Sequence, residues 1–310
     1  MNRRSTEDGK ADRMTEQDVT TALEVARTAD ECTLAARAAE FTQLRALIEG
    51  SAHREELVAM WGRLLVTAVP EDMAAELIDQ LWRHDDSRWL IAVEYFLDYA
   101  QRRDPASLGR FAAEVTSWPG AGQAAFARVV LTTIACALPD GIVPSTYLVA
   151  RGLLIEAAQL FGSPELVDPL AGLVALGWRQ GGFPAARLAF DLARHVEREL
   201  PGAEPRRQAI MVLALVAGTY REPDEPVFVS LREGIRRLGD GDDPVLQANE
   251  ADKATVVAAR VVRLAGYGDL RGIEAELDAH APGAQELVPV LLALALAVAS
   301  QVRDEAAARN

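Results

Sequence analysis

Lysine is nearly missing from this chain. Of 310 residues only Lys10 and Lys253 are lysines, and 32 basic residues in all face 46 acidic ones, for a formal net charge of −14. Nucleic acid and anionic bilayers both need a basic face to neutralise phosphate, so this balance weighs against either as a partner. Cysteine is equally scarce. Cys32 and Cys136 stand alone in Ala-rich stretches with apolar neighbours, so they read as small core residues with no disulfide framework, in keeping with a reducing cytoplasm. No apolar stretch opens the chain: MNRRSTEDGKADRM mixes charges and lacks the core of a secretion signal. Residues 1–14 are expected to be a disordered tail, with Met14 a second candidate start beside Met1.

Long hydrophobic runs are short of what a bilayer requires. The uncharged run LVPVLLALALAVAS, Leu287 to Ser300, has fourteen residues where ~20 are needed, and it lies between Glu286 and Arg303. It is expected to be a buried helix. The chain also lacks alternating β-branched runs bounded by hairpin turns, and what it has in their place is helical periodicity with helix punctuation throughout. The fold class predicted is all-α. Thr15 is expected to cap the first helix, with Asp18 three residues on as a variant capping box. Stops follow at Asp30, Gly50-Ser51, Pro70, His84 to Ser87, Asp104-Pro105, Pro119-Gly120 and Pro139 to Gly141. They continue at Gly162 to Pro164, Gly181-Gly182, Pro201-Gly202, Pro223 to Pro226, Gly239 to Pro244, Gly266 to Asp269 and Pro282-Gly283. Proline lacks the amide hydrogen and glycine accepts the left-handed C-cap, which is why such clusters end helices. Roughly fourteen helices joined by short loops result, read as stacked antiparallel hairpins in one domain over residues 15–310.

Three segments are apolar almost all round and are expected in the middle of that stack: RVVLTTIACAL from Arg128, AIMVLALVAG from Ala209, and the Leu287 run. The last lies near the chain end, where an array usually presents a polar cap, so either the chain doubles back over it or it meets another molecule, such as a second copy in a homodimer. Doubling back is the simpler expectation.

In LGWRQGGFPAARLAFDLARH, Gly181, Phe183, Ala186, Phe190 and Ala193 follow at steps of two, three, four and three residues. Small residues at such steps admit a neighbouring helix closely while a large one fills the gap. The pattern resembles the second helix of a tetratricopeptide repeat behind its glycine turn. Gly268, Leu270, Ile273 and Leu277 repeat the spacing with poorer residues, but Gly268 lies 87 residues after Gly181, which is no multiple of the ~34-residue period. The Trp and Gly-Tyr pattern of that family's first helix is also unmet. The resemblance implies an α-solenoid with a concave binding face.

Catalytic signatures are absent from the sequence: no HExxH, paired CxxC, GxxxxGK[ST], GxSxG or ExxH motif occurs. His53, His84, His195 and His280 are scattered and read as exposed helix-end residues. Acidic pairs at Asp85-Asp86 and in DDPVLQANE, from Asp242 to Glu250, resemble the magnesium-binding motifs of terpene cyclases only loosely. The first lacks a third acid, Leu246 replaces a hydroxyl in the second, and helix N-capping explains both. No cofactor or metal is therefore expected. The better candidate surface is SRWLIAVEYFLDYAQRR, in which Trp89, Val93, Phe96 and Ala100 form a core stripe. Arg88, Ala92, Tyr95, Tyr99 and Arg102 form a second, pairing two aromatic plates with two guanidinium groups suited to a peptide carboxylate. The segment from Glu222 to Glu250, eight acidic and three basic residues, is a secondary candidate for a basic partner or simply a solvated face. The function expected is a non-catalytic protein- or peptide-interaction module. A peptide- or ligand-sensing regulator and, further off, a magnesium-dependent all-α enzyme are the alternatives.

Overall fold

In the computed structural model, residues 16–84, 87–139, 141–179, 185–219 and 248–309 are described. Among them are fourteen α-helices and no strand. They are α1 (Glu16–Arg37), α2 (Phe41–Gly50), α3 (Arg54–Thr67), α4 (Glu71–Trp82), α5 (Ser87–Arg102), α6 (Pro105–Ser117) and α7 (Gly120–Ala137). Then come α8 (Pro144–Leu160), a 3-10 turn at Pro164–Leu166, α9 (Val167–Gly177), α10 (Ala185–Glu199), α11 (Ala203–Thr219), α12 (Ala248–Gly266), α13 (Leu270–His280) and α14 (Ala284–Arg309).

Local chemistry sets most boundaries. Asp104 caps α6 by accepting from the amides of Ala106 and Ser107, with Pro105 at the first helical position, and those bonds hold its carboxyl below the usual carboxylate range. The α12 helix ends where Gly268 takes φ of +70°, letting the Asp269 amide reach back to the Leu264 carbonyl, and Asp269 then caps α13 through the Gly272 amide. Asp30 departs from expectation: α1 runs straight through it. Its carboxylate instead accepts from the Ser145 amide at 2.8 Å, serving the N-terminus of α8, whose own Val143 gives no side-chain cap. Arg37 does the converse, donating to the carbonyls of Leu138, Pro139 and Ile142 past the C-terminal end of α7. Thr15 lies outside the described residues.

Consecutive helices pair as α1 with α2, α4 with α5, α5 with α6, α8 with α9, α9 with α10 and α12 with α13. Equally extensive contacts join helices far apart in the chain: α3 with α6, α1 with α7 and α8, and α11 with α14. Gly62 makes the α3–α6 approach possible, since a Cβ there would meet Leu108 Cδ1 at 2.7 Å. Around α5, α6 and α7 an aromatic cluster fills the core, with Phe126 edge-on to both Trp89 and Trp118 at centroid distances of 5.3 and 5.2 Å.

The apolar run in α14 is covered by the chain itself: Leu287, Leu291, Leu294, Ala295 and Val298 are all at 0% exposure, packed on α8, α9, α10, α11 and α12. The chain doubles back, and the apolar surface that a homodimer through this run would use is internal. Among the described residues, two helices, Gly120–Ala137 and a 22-residue part of α14, are long and apolar enough to cross a bilayer by length and composition, and 44% and 61% of those stretches are buried inside the protein. On α7 the burial is one-sided. Val130, Leu131 and Ile134 face inward, but Cys136 is exposed, which corrects its reading as a core residue; Cys32 is buried, and burial pushes its thiol up to about 12.

Candidate functional site

The expected aromatic stripe on α5 is not an open face. Tyr99 is 3% exposed and Ala92 is fully buried, so these two members of the stripe join Trp89, Val93 and Phe96 in facing the core. Tyr95 is half-buried with the Arg110 guanidinium 5.5 Å from its ring centre, Arg102 is exposed but held by Asp98 at 3.0 Å, and Arg88 sits exposed at the start of the helix. Periodicity fixes which residues share a face; it does not say how many faces find neighbours. Here α4 and α6 both lie against α5, so Ala92 and Tyr99 of the second stripe are covered while Arg88 and Arg102 stay exposed.

Tyr99 instead belongs to a buried polar junction of α3, α5, α8 and α9. The Tyr147 hydroxyl shares a 3.0 Å hydrogen bond with Thr67, and Arg151 holds Asp168 through two contacts of 3.2 and 3.1 Å. Burial first, and the Asp168 charge second, raise the Tyr99 hydroxyl, while burial pushes Tyr147 up to about 12. Both stay neutral donors at ordinary pH.

Beside this junction opens a cleft of about 300 Å³, walled by the end of α3 and the start of α4 on one side and by α10 on the other. Val66, Val69, Pro70 and Leu176 supply apolar wall. Arg187, Asp191, Arg194 and Arg198 come from one stripe of α10, with Phe190 at 64% exposure beside them. The stripe exists because Leu188, Leu192 and Val196, four residues apart, take the opposite face into the core. Phe190 was expected to fill a gap between helices in the tetratricopeptide manner, and that assignment is overturned: Leu188 and Leu192 do the packing, and Phe190 faces out. The glycine turn at Gly181-Gly182 and Phe183 lie outside the described residues.

Arg179, just beyond α9, is 3% exposed and donates to the Ala68 carbonyl. Burial brings its pKa down to about 10, with Asp191 and Asp72 acting in the opposite direction. Arg187 pairs with Asp72 across the mouth, tying α10 to α4. His195 is also not the exposed helix-end residue expected. Its Nε2 lies 2.8 Å from the Pro169 carbonyl, and its ring occupies the space left by Gly172, where a Cβ would meet Cε1 at 2.8 Å. Burial lowers its pKa from the ordinary 6.5, outweighing the Pro169 bond and the nearby Glu199, so it is neutral near pH 7. His53, His84 and His280 are spoken for by Glu24, by stacking on Trp89 at 3.7 Å, and by Glu276 respectively.

A second groove of about 380 Å³ lies between α2, α4 and α7, where Arg128 sits 3.9 Å from the Phe41 ring centre and Cys136 reaches the surface. Asp85, Asp86, Asp242 and the Glu250 side chain, the acids of the cyclase-like pattern, lie outside the described residues, as does most of the acidic segment from Glu222. No family model, no curated protein and no solved structure matches this chain. The arginine stripe itself was legible in the sequence, because Arg187, Arg194 and Arg198 stand at steps of seven and four. Arg179 was not, since only the packing of α9 against α3 brings it to the same cleft.

Proposed function

We propose that the chain is a non-catalytic interaction module that takes a peptide or protein segment into the cleft between the α3–α4 junction and α10. The observation that carries this reading is an arginine-lined cleft with an exposed phenylalanine on a strongly acidic chain, since guanidinium groups and an aromatic plate are the side chains that most often anchor interfaces. Tyr95 and Arg102 on α5 each already meet a neighbour, Arg110 and Asp98, so the cleft is the preferred contact site. Hairpin pairing of consecutive helices supports the helical-repeat part of the reading. The long-range contacts of α1, α3 and α14 fold the assembly back on itself beyond the neighbour-only stacking of a simple solenoid. The two free thiols favour a cytoplasmic setting. A ligand-sensing regulator is the second reading, favoured by the modest cleft volume.

Site-specific photo-crosslinking in the source cells tests it. A benzophenone amino acid at position 190 is expected to give a discrete protein adduct that the same group at Leu160, 77% exposed at the far end of α8, does not give. Equal adducts from both positions, or none from position 190, would overturn the reading.

A further inference from the structure

We propose that the outer face of α1 is a self-association surface, on which a second copy of the chain packs the same face of its own α1, antiparallel about a two-fold axis. α1 contributes no residue to the arginine-lined cleft, so this surface is separate from the function proposed for it.

Helical periodicity divides α1 into two sides. Val25, Ala29, Cys32 and Ala36 take one side into the core. On the other, Leu23, Arg27, Glu31 and Leu34 follow at steps of four, four and three residues and share one stripe. Leu23 is 66% exposed and Leu34 is 52% exposed. One exposed leucine is ordinary, but here the order of the stripe carries the inference. From either end it runs leucine, charged residue, charged residue, leucine. Leu23 and Leu34 have their midpoint between Thr28 and Ala29, and Arg27 and Glu31 have theirs at Ala29, so the two centres differ by only about 0.8 Å along the helix axis. Two antiparallel copies related by a two-fold near Ala29 therefore set Leu23 of each against Leu34 of the other, and Arg27 of each against Glu31 of the other.

Charge complementarity is built into that pairing. Within one chain Arg27 donates to Glu31 at 3.1 Å; across the axis the same groups from both copies close into a network in which each carboxylate meets two guanidinium groups. Such local matching is what lets a chain of net charge −14 meet itself. α8 offers the contrast. Its Val149 and Leu160, 38% and 77% exposed, also stand eleven residues apart, but the charged residue on the stripe between them is Glu156, and a two-fold there would set Glu156 beside its own copy. An interface of one helix pair falls below the ~1,200 Å² of a standard one, which sets the expected dissociation constant at about 10–100 μM.

Sedimentation velocity on the full chain tests this over about 5–500 μM, in about 0.15 M salt to screen the general repulsion. A monomer–dimer equilibrium is expected within that range. Leu23→Ser/Leu34→Ser is expected to weaken it at least about tenfold. Arg27→Glu and Glu31→Arg are each expected to do the same, because each sets like charges across the axis. An equimolar mixture of those two variants should regain the wild-type affinity as a heterodimer, since one copy then supplies all the acids and the other all the guanidinium groups. All four side chains reach solvent, and an unchanged melting temperature at about 5 μM confirms that each variant folds. Glu156→Arg on α8 is expected to leave the equilibrium unchanged. A wild type that stays monomeric throughout, a dimer indifferent to the leucine or charge variants, a dimer lost in Glu156→Arg, or single charge variants that stay apart when mixed would each overturn the proposal.

Discussion

At the scale of single residues, a missing Cβ matters only where something already occupies its place. Gly177, the last residue of α9, faces Ala299 of α14: an added Cβ would lie 2.9 Å from the Ala299 Cβ, an atom fixed to its backbone, and 3.4 Å from Leu296 Cδ2. The Trp178 indole donates to the Ala299 carbonyl at 3.0 Å, so the same crossing is also pinned by a hydrogen bond. Gly177→Ala is expected to lower stability by about 1–3 kcal/mol, measured by urea unfolding, as overpacking does in a rigid core. Gly109, exposed within α6 with nothing within 4 Å, should do the opposite. Gly109→Ala is expected to raise stability by roughly 0.5–1 kcal/mol through helix propensity alone. Both glycines look alike in the sequence. Tyr99 and Phe190 teach the same lesson in reverse, since a residue read as a contact plate is buried and one read as a core filler is exposed.

At the scale of elements, α10 is amphipathic in sequence and in space, but the depth of its polar side was decided by α9. Gly172 lets the His195 ring seat against α9, where desolvation holds the neutral form and the Pro169 carbonyl receives it. Arg103 disfavours the proton as well, while Glu199 favours it without prevailing. A histidine whose folded pKa lies below 6.5 binds fewer protons when folded than when unfolded, so its contribution is intact above pH 6.5 and is lost as pH falls through the folded value. The chain is expected to lose stability in urea between pH 7.5 and 5.5, by at most about 1.4 kcal/mol for this one group over the first unit below 6.5. His195→Gln, which can still donate to Pro169, should show a flatter profile. Asp30 moves the other way, because burial raises its carboxyl and protonation favours the folded state; comparing variant with wild type isolates the histidine. Equal slopes for both would show that His195 does not govern the window.

At the scale of the whole molecule, the first and last of the described helices both pack on helices from the middle of the chain. α1 packs on α7 and α8, and α14 packs on α8, α9, α10, α11 and α12. Contacts spanning so much of the chain are expected to make unfolding one cooperative step, in which tryptophan fluorescence and far-ultraviolet circular dichroism trace the same denaturant curve. Trp89 and Trp118 report on the α5–α7 cluster, and dichroism reports on all helices. Separated curves would mean that the chain melts in independent parts.

What the sequence determined by itself was local: helix rather than strand, most of the helix ends, and the burial of the apolar runs in α11 and α14, because capping, φ preference and 3.6-residue periodicity act within a few residues. The tertiary structure alone decided the rest. It extended α1 through Asp30 by giving that carboxylate a distant amide to hold, it buried Ala92 and Tyr99 of the second α5 stripe, and it turned Cys136 and Phe190 outward. It also brought Arg179 from beyond α9 to face three arginines of α10 across one cleft. Side chains far apart in the chain meet only where helices cross, and the crossings are set by how small residues such as Gly62, Gly172 and Gly177 let particular pairs approach, a pairwise choice that no single segment contains.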